Sequence, residues 1–239
     1  MPGPRKLLWK LACFVLSIML VDGAIACAAV RVVNQGIPGE SSAEIDARLD
    51  AALRQYKPDV VIIFAGTNDA VNDRKFLPPE VTGEHIDSMA RRSAKAGAQV
   101  VVISIHEPDM VRLLERHKPE AYGSVSPAER VRSLNQALEK VARRDHLALA
   151  NFHDTLIKAG GPGPNLSTDG VHLTSRGYGL LAEVVRSALP NHLSNDGTIL
   201  CMGDSLTYGI GVRLPGTPDN DQTYPAQLQK LLNKDSRMR

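Results

Sequence analysis

A serine hydroxyl becomes a useful nucleophile only when a base takes its proton, and the base needs a partner that fixes its tautomer and stabilises its charged form. Three side chains of this 239-residue chain are spaced for that division of labour. Ser205 stands in Gly203-Asp204-Ser205-Leu206, directly after an apolar run, where Gly203 permits a tight turn and a close approach of backbone. His172 follows Asp169 by three positions in Asp169-Gly170-Val171-His172, a glycine-containing loop ahead of a helical pattern. Both side chains can therefore project into one cleft, with Ser205 as nucleophile, His172 as general base and then acid, and Asp169 as the group that orients the ring. Taken singly, each motif also has a structural use. Glycine with a capping Asp or Ser suits any strand-to-helix turn, Asp169 could cap the next helix, and His172 could simply hydrogen-bond within its loop.

A scaffold has to carry these groups to one place, and the chain is patterned as one. Continuous apolar runs at residues 30–33, 60–64, 100–105, 147–150 and 199–202 suit parallel strands buried on both faces. Helical patterns separate them. Ile45, Leu49 and Leu53 mark the first; Ile86, Met89, Ala90 and Ala94 mark the second, closed by Gly97. Ser126-Pro127-Ala128-Glu129 predicts a third with a capping box and a first-turn proline. Leu180, Leu181, Val184, Val185 and Leu189 define a fourth, and Leu228, Leu231 and Leu232 a fifth. Five strands alternating with helices predict an α/β fold: a three-layer α/β/α sandwich on a five-stranded parallel, flavodoxin-like sheet. A chain that is 43% hydrophobic and 23% charged can bury one sizeable core, so residues 30–239 are read as a single domain.

The order of the blocks is unusual. The strand and loop from Val30 to Gly39 come first, then Gly66-Thr67-Asn68-Asp69, then the Asp169–His172 loop, and the Ser205 block comes last. Read around a circle, over residues 30–233, the four blocks resemble the SGNH (GDSL) hydrolase superfamily, and the chain looks like a circular permutant of it. The resemblance implies a carboxylic ester hydrolase that works through an acyl-enzyme, with the same Ser205, His172 and Asp169 roles and with no cofactor. It places the oxyanion donors at the Ser205 backbone N–H, the Gly39 backbone N–H and the Asn68 side-chain amide. Each position fits physically, since Gly39 lacks a side chain that would block an acyl group and Asn68 ends a turn after a strand. Gly36 is the rival for the glycine role.

A permuted order makes geometric sense in a parallel sheet. Residues 190–197 can span the distance from the end of the fourth helix to the start of the last strand at about 3.3 Å per residue. The last helix should finish near Asn233, on the edge where the strand at Val30 begins. Both junctions then lie opposite the catalytic loops. The serine strand should insert between the first two strands of the chain, a non-local pairing that slows folding.

Residues 1–29 read as a targeting segment, because Arg5, Lys6 and Lys10 precede an apolar run that ends at Val21, and Ala24-Ile25-Ala26 offers a cleavage site. Secretion or periplasmic location is the expectation, with an uncleaved anchor or a lipidated Cys27 as alternatives. The charges of this segment, three cations against Asp22, match the chain's whole formal charge of +2, so the remainder is near neutral. With only 4% aromatic residues and no basic stripe, the footprint of nucleic-acid binding is missing, and a membrane enters only through an N-terminal or lipid anchor. Cys201 is expected to be buried as a small hydrophobe. His85 and His117 are read as solvated, His106 as a residue lining the cleft, and His153 with Asp154 as rim or structural groups. No metal-ligand spacing is convincing.

The expected substrate is a short acyl ester, acetylated carbohydrate above all. A lysophospholipase or thioesterase of the same mechanism is the alternative, and a non-catalytic carbohydrate-binding protein on this fold is a third reading. Residues 213–224, with 107–126, are expected to form the rim of the acyl pocket.

Overall fold

Five strands make one wholly parallel sheet: β1 (Arg31–Gly36), β2 (Val60–Phe64), β3 (Gln99–Ile103), β4 (Ala148–Ala150) and β5 (Thr198–Gly203). Their order is β1-β5-β2-β3-β4. The last strand of the chain thus lies between the first two. The computed structural model describes residues 30–194 and 196–237, so the expected targeting segment, with Cys13 and Cys27, lies outside the described residues. Every residue of β2 is buried, as is every residue of β5 after Thr198, which is what a strand covered on both faces requires. Cys201 is among them, a free and fully buried thiol that burial pushes up to about 12.

The helices are α1 (Ser42–Tyr56), α2 (Thr67–Val71), α3 (Pro79–Lys95), α4 (Met110–Leu114), α5 (Pro127–Arg144), α6 (Phe152–Lys158), α7 (Ser175–Ala188), α8 (Ser205–Tyr208) and α9 (Tyr224–Arg237). On one face of the sheet α3 packs between α1 and α5; on the other α7 packs against α6 and α9. The local reasons were visible. Ser126 and Glu129 form the capping box at α5 with Pro127 in its first turn, and a second box, Ser41 with Glu44, starts α1. After α3 the chain turns at Gly97, whose φ of +93° few other residues adopt readily, while Ala98 N–H returns to the Ser93 carbonyl. The four short helices were not foreseen from the sequence, because one or two turns are too brief to show a periodicity. The β3 run also ends two residues early: Ser104 N–H still reaches the Ala150 carbonyl at 3.1 Å, but Ile105 N–H turns to Asn135 Oδ1 at 2.8 Å.

α9 lies against the start of β1 and runs on to Arg237, past the expected end near Asn233. Gln229 in α9 accepts the Val32 N–H at 2.8 Å and donates to the Val30 carbonyl at 2.6 Å and to Asn233 Oδ1 at 3.0 Å. At the same edge, Arg31 N–H reaches the Gly197 carbonyl at 2.8 Å, so β5 starts beside β1.

At the opposite edge two glycines allow α8 to sit directly on the strand ends. A Cβ on Gly36 would stand 2.0 Å from the Tyr208 nitrogen, and one on Gly203 would stand 2.1 Å from Thr207 Oγ1 and 2.6 Å from the Phe64 carbonyl oxygen. Gly36 therefore shapes a packing contact. We expect Gly36→Ala to lower stability by about 2 kcal/mol or more, since backbone stands in the way and must shift. By contrast Gly83→Ala in α3, whose nearest neighbour would be 3.6 Å away, should be neutral or stabilising by up to ~1 kcal/mol. Urea unfolding of the two variants checks the contrast.

Candidate active site

β5 delivers Ser205 to the end of the sheet. The strand finishes at Gly203, and the Asp204 side chain caps α8 by accepting the Leu206 N–H at 2.9 Å, which leaves Ser205 as the first helical residue, 8% exposed. His172 Nε2 lies 3.0 Å from Ser205 Oγ, and His172 Nδ1 lies 2.8 Å from Asp169 Oδ2. The carboxylate's other oxygen accepts the Val171 and His172 amides at 3.0 and 2.7 Å. Burial by itself would raise the Asp169 pKa, but the hydrogen bond and charge of His172 and the two amides outweigh it and hold the carboxyl well below its usual range. An ionised, immobilised carboxylate against a ring nitrogen and a hydroxyl on the other nitrogen is the arrangement that base-assisted nucleophilic attack requires. The three groups singled out from the sequence come together.

The other two candidates sit alongside. Asn68, the second residue of α2, donates from Nδ2 to the Glu40 carbonyl at 2.9 Å and approaches Asp204 Oδ2 at 3.4 Å, so it bridges the Gly39–Glu40 loop and the residue before the serine. Gly39 has a φ of +81° and nothing within 4 Å of where a Cβ would stand. The Ser205 and Gly39 amides donate to no group among the described residues. Asp69 ties these parts together. Buried, it accepts the Ser42 N–H at 2.9 Å, the Ser42 hydroxyl and the Thr82 hydroxyl at 3.0 Å, fastening α2 to the start of α1 and to α3. Sequence reasoning saw Asp69 only as part of a polar turn.

Ser205, His172 and Asn68 open on a cleft of about 560 Å³. Val71, Leu113, Ala121 and Val171 supply its apolar lining, and Asn72, Asp73, Arg74, Arg116, His117 and Lys118 its polar lining. The expected rim is thus half right. Residues 107–126 contribute, but none of 213–224 lines the cleft; that segment packs over Tyr208, with the Arg213 guanidinium 3.8 Å from the ring centroid.

Several histidines differ from expectation. His117 lines the cleft, and His85 pairs with Asp46 at 3.0 Å across α3 and α1. His153 keeps to a structural role, contacting Asp154 at 2.8 Å and Glu107 at 3.4 Å. His106 is buried behind the Asp169–His172 loop instead of facing the cleft. Its Nε2 lies 2.8 Å from the Val171 carbonyl, an acceptor only, so this nitrogen carries the proton; Nδ1 has no partner among the described residues. A second proton there would be stranded, and burial pushes the pKa down to about 4.

Residues 22–180 match the model of the GDSL-like lipase/acylhydrolase family. The chain belongs to that family. The match ends before β5, so the Ser205 block lies outside it. Esterase TesA of Pseudomonas aeruginosa is 34% identical over 113 residues, 46% of this chain and 54% of that protein, so the chain spans about half the length of this curated relative. Among solved structures, TesA superposes with a TM-score of 0.52 at 29% identity, covering 66% of this chain and 77% of the other. An acetylxylan esterase from Geobacillus stearothermophilus also has a TM-score of 0.52, at 17% identity over 65% and 70% of the two chains, and shares the fold.

Two buried titratable groups near Ser205 and His172 work against each other. Burial pushes Asp204 up to about 7 from 3.8, against the pull of the Leu206 amide. The folded carboxyl then keeps its proton where the unfolded one has lost it, so its contribution to stability falls as pH rises from 3.8 to about 7. For His106 the unfolded ring is protonated below 6.5 and the folded ring only below about 4, so its contribution is complete above 6.5 and is lost as pH falls to 4. The two slopes largely cancel. Relative to wild type, Asp204→Asn should therefore gain ~4 kcal/mol between pH 4 and 7, and His106→Gln should lose ~3 kcal/mol as pH rises from 4 to 6.5. Unfolding free energies measured by urea at both ends of the window read this directly.

Proposed function

We propose that this chain is an exported serine esterase that hydrolyses short acyl esters, acetyl esters of carbohydrate included, through an acyl-enzyme at Ser205. The observation that carries the reading is the unbroken line from Ser205 Oγ through both nitrogens of His172 to Asp169, at 3.0 and 2.8 Å, on the floor of an open cleft. His172 takes the hydroxyl proton as Oγ attacks the ester carbonyl carbon, and then gives that proton to the departing alcohol. Water, deprotonated by the same ring, attacks the acyl-enzyme and restores Ser205. The tetrahedral oxyanion accepts from the unengaged Ser205 and Gly39 amides and from Asn68, whose long contact to Asp204 is the one it displaces.

The mixed lining of the cleft supports a polar alcohol over a long alkyl chain, and the acetylxylan esterase among the neighbours makes acetylated xylan the first polymer to try. The charged, then apolar, N-terminal segment supports export. Ser205→Ala should lower kcat/KM for p-nitrophenyl acetate by at least about 10³-fold and abolish labelling by a fluorophosphonate, and unchanged hydrolysis would overturn the assignment. A pocket built for long chains gains about 0.8 kcal/mol per buried methylene, so activity rising steadily past about eight carbons would favour the lysophospholipase or thioesterase reading instead.

A second reading concerns the order of the segments. The family match stops short of the serine block, β5 lies between β1 and β2, and Gln229 pins α9 to the start of β1. These observations support a circularly permuted member of the family. A chain reopened within residues 190–197, with its former ends joined by about six Gly and Ser residues, should fold and keep activity within about threefold. Failure to fold with every linker length tried would sink the permutation.

A further inference from the structure

The loop that carries Asp169 and His172 is held from one side by α4 and the residues just after it. Asp109 caps α4 through the Val111 and Arg112 amides at 3.1 and 3.3 Å, and donates its own N–H to the Gly170 carbonyl at 2.8 Å. Arg112 donates from Nη1 to the Pro162 and Ser167 carbonyls at 3.3 and 3.2 Å. Four positions on, Arg116 donates from Nη2 to the Asp169 carbonyl at 2.9 Å and brings Nη1 to 2.8 Å from Asp169 Oδ2, the oxygen that receives His172 Nδ1–H. Gly170 permits this close docking, because a Cβ there would stand 3.0 Å from the Asp109 carbonyl oxygen and 3.1 Å from Arg112 Cβ.

We propose that Arg116 is a positioning residue whose charge, sharing Asp169 Oδ2 with His172, sets the acid edge of the enzyme's pH range. The inference rests on His172 acting as the base. A carboxylate favours the protonated ring, and that ring is useless as a base. A guanidinium on the same oxygen offsets part of the negative charge that faces the ring. Bonding to the Asp169 backbone carbonyl as well holds the guanidinium beside the carboxylate. Arg116 is 42% exposed, so salt should weaken the effect.

Other titratable groups face the pair. His106 stands behind Val171 and is neutral above about pH 4, and burial pushes the α7 hydroxyl of Tyr178 above its usual range, so neither changes charge near neutrality. His117, Lys118, Asp73 and Arg74 line the same cleft. Asp204, next to Ser205, does titrate near 7 and needs its own control.

The test is the pH profile of kcat/KM for p-nitrophenyl acetate in wild type, Arg116→Gln and Arg116→Lys. The acid limb of Arg116→Gln should move up by about half a pH unit, whereas Arg116→Lys, which keeps the charge, should stay close to wild type. Added salt should move the wild-type limb toward that of Arg116→Gln and leave the variant's own limb in place. The same displacement should persist in an Asp204→Asn background, and it should appear in an NMR titration of the His172 ring, which needs no substrate. An unmoved ring titration in Arg116→Gln, or a lysine variant that shifts as far as the glutamine one, would overturn the proposal. Loss of the esterase reading is told apart by Ser205→Ala, whose activity decides that question without reference to Arg116.

Discussion

β5 is hydrogen-bonded on both sides, to β1 and to β2, and it can occupy that central place only because the chain carries glycine where α8 and Phe64 come close. Gly36 opens the end of β1 to Tyr208, and Gly203 opens the end of β5 to Thr207. Without that contact the Asp204 cap and the first turn of α8 would stand away from the sheet, and Ser205 with them. The position of Ser205 is thus a consequence of backbone meeting backbone. What surrounds it then only has to arrive at a fixed point.

Two sets of ties bring the other groups there. Asp69 joins α2, α1 and α3, which aligns Asn68 with the Gly39–Glu40 loop. α4 and the residues flanking it grip the Asp169–His172 loop through Asp109, Arg112 and Arg116, while His106 supports Val171 from behind. Both sets rely on buried or half-buried polar groups, whose cost is tolerable only because each finds partners in a fixed geometry. Asp204 and His106 are the exceptions that show the cost, since burial keeps one protonated and the other deprotonated.

Much of this was legible in the sequence, and the reason is locality. Uninterrupted apolar runs announced buried parallel strands, Ser126 to Glu129 announced a helix start, and the spacing of Asp169 and His172 announced a carboxylate beside a ring. Those signals depend on neighbours in sequence. Arg116 had no such signal, being one cation in a charged stretch whose value depends on where α4 docks. His106 was misread for the same reason, because a polar residue after a strand can face the cleft or the core, and only the approach of Val171 decides. The segment 213–224, rich in turn formers, has the composition of a rim but folds back onto Tyr208 through Arg213.

The order of the segments acts on folding more than on the folded state. Asp59 and Thr198, 139 positions apart, must meet at the start of β5, and Val32 and Gln229, 197 apart, must meet beside β1. Closing a loop twice as long adds only about 0.6 kcal/mol of entropy, so separations of this size take little from the final stability. They weigh on the rate, because the non-local contacts reward the chain only after most of that closure has occurred. β1 and β2 make no pairing with each other and must wait for the strand that joins them. The geometry around Ser205 depends on which segments meet, whereas the time taken to reach it depends on the order in which the chain supplies them.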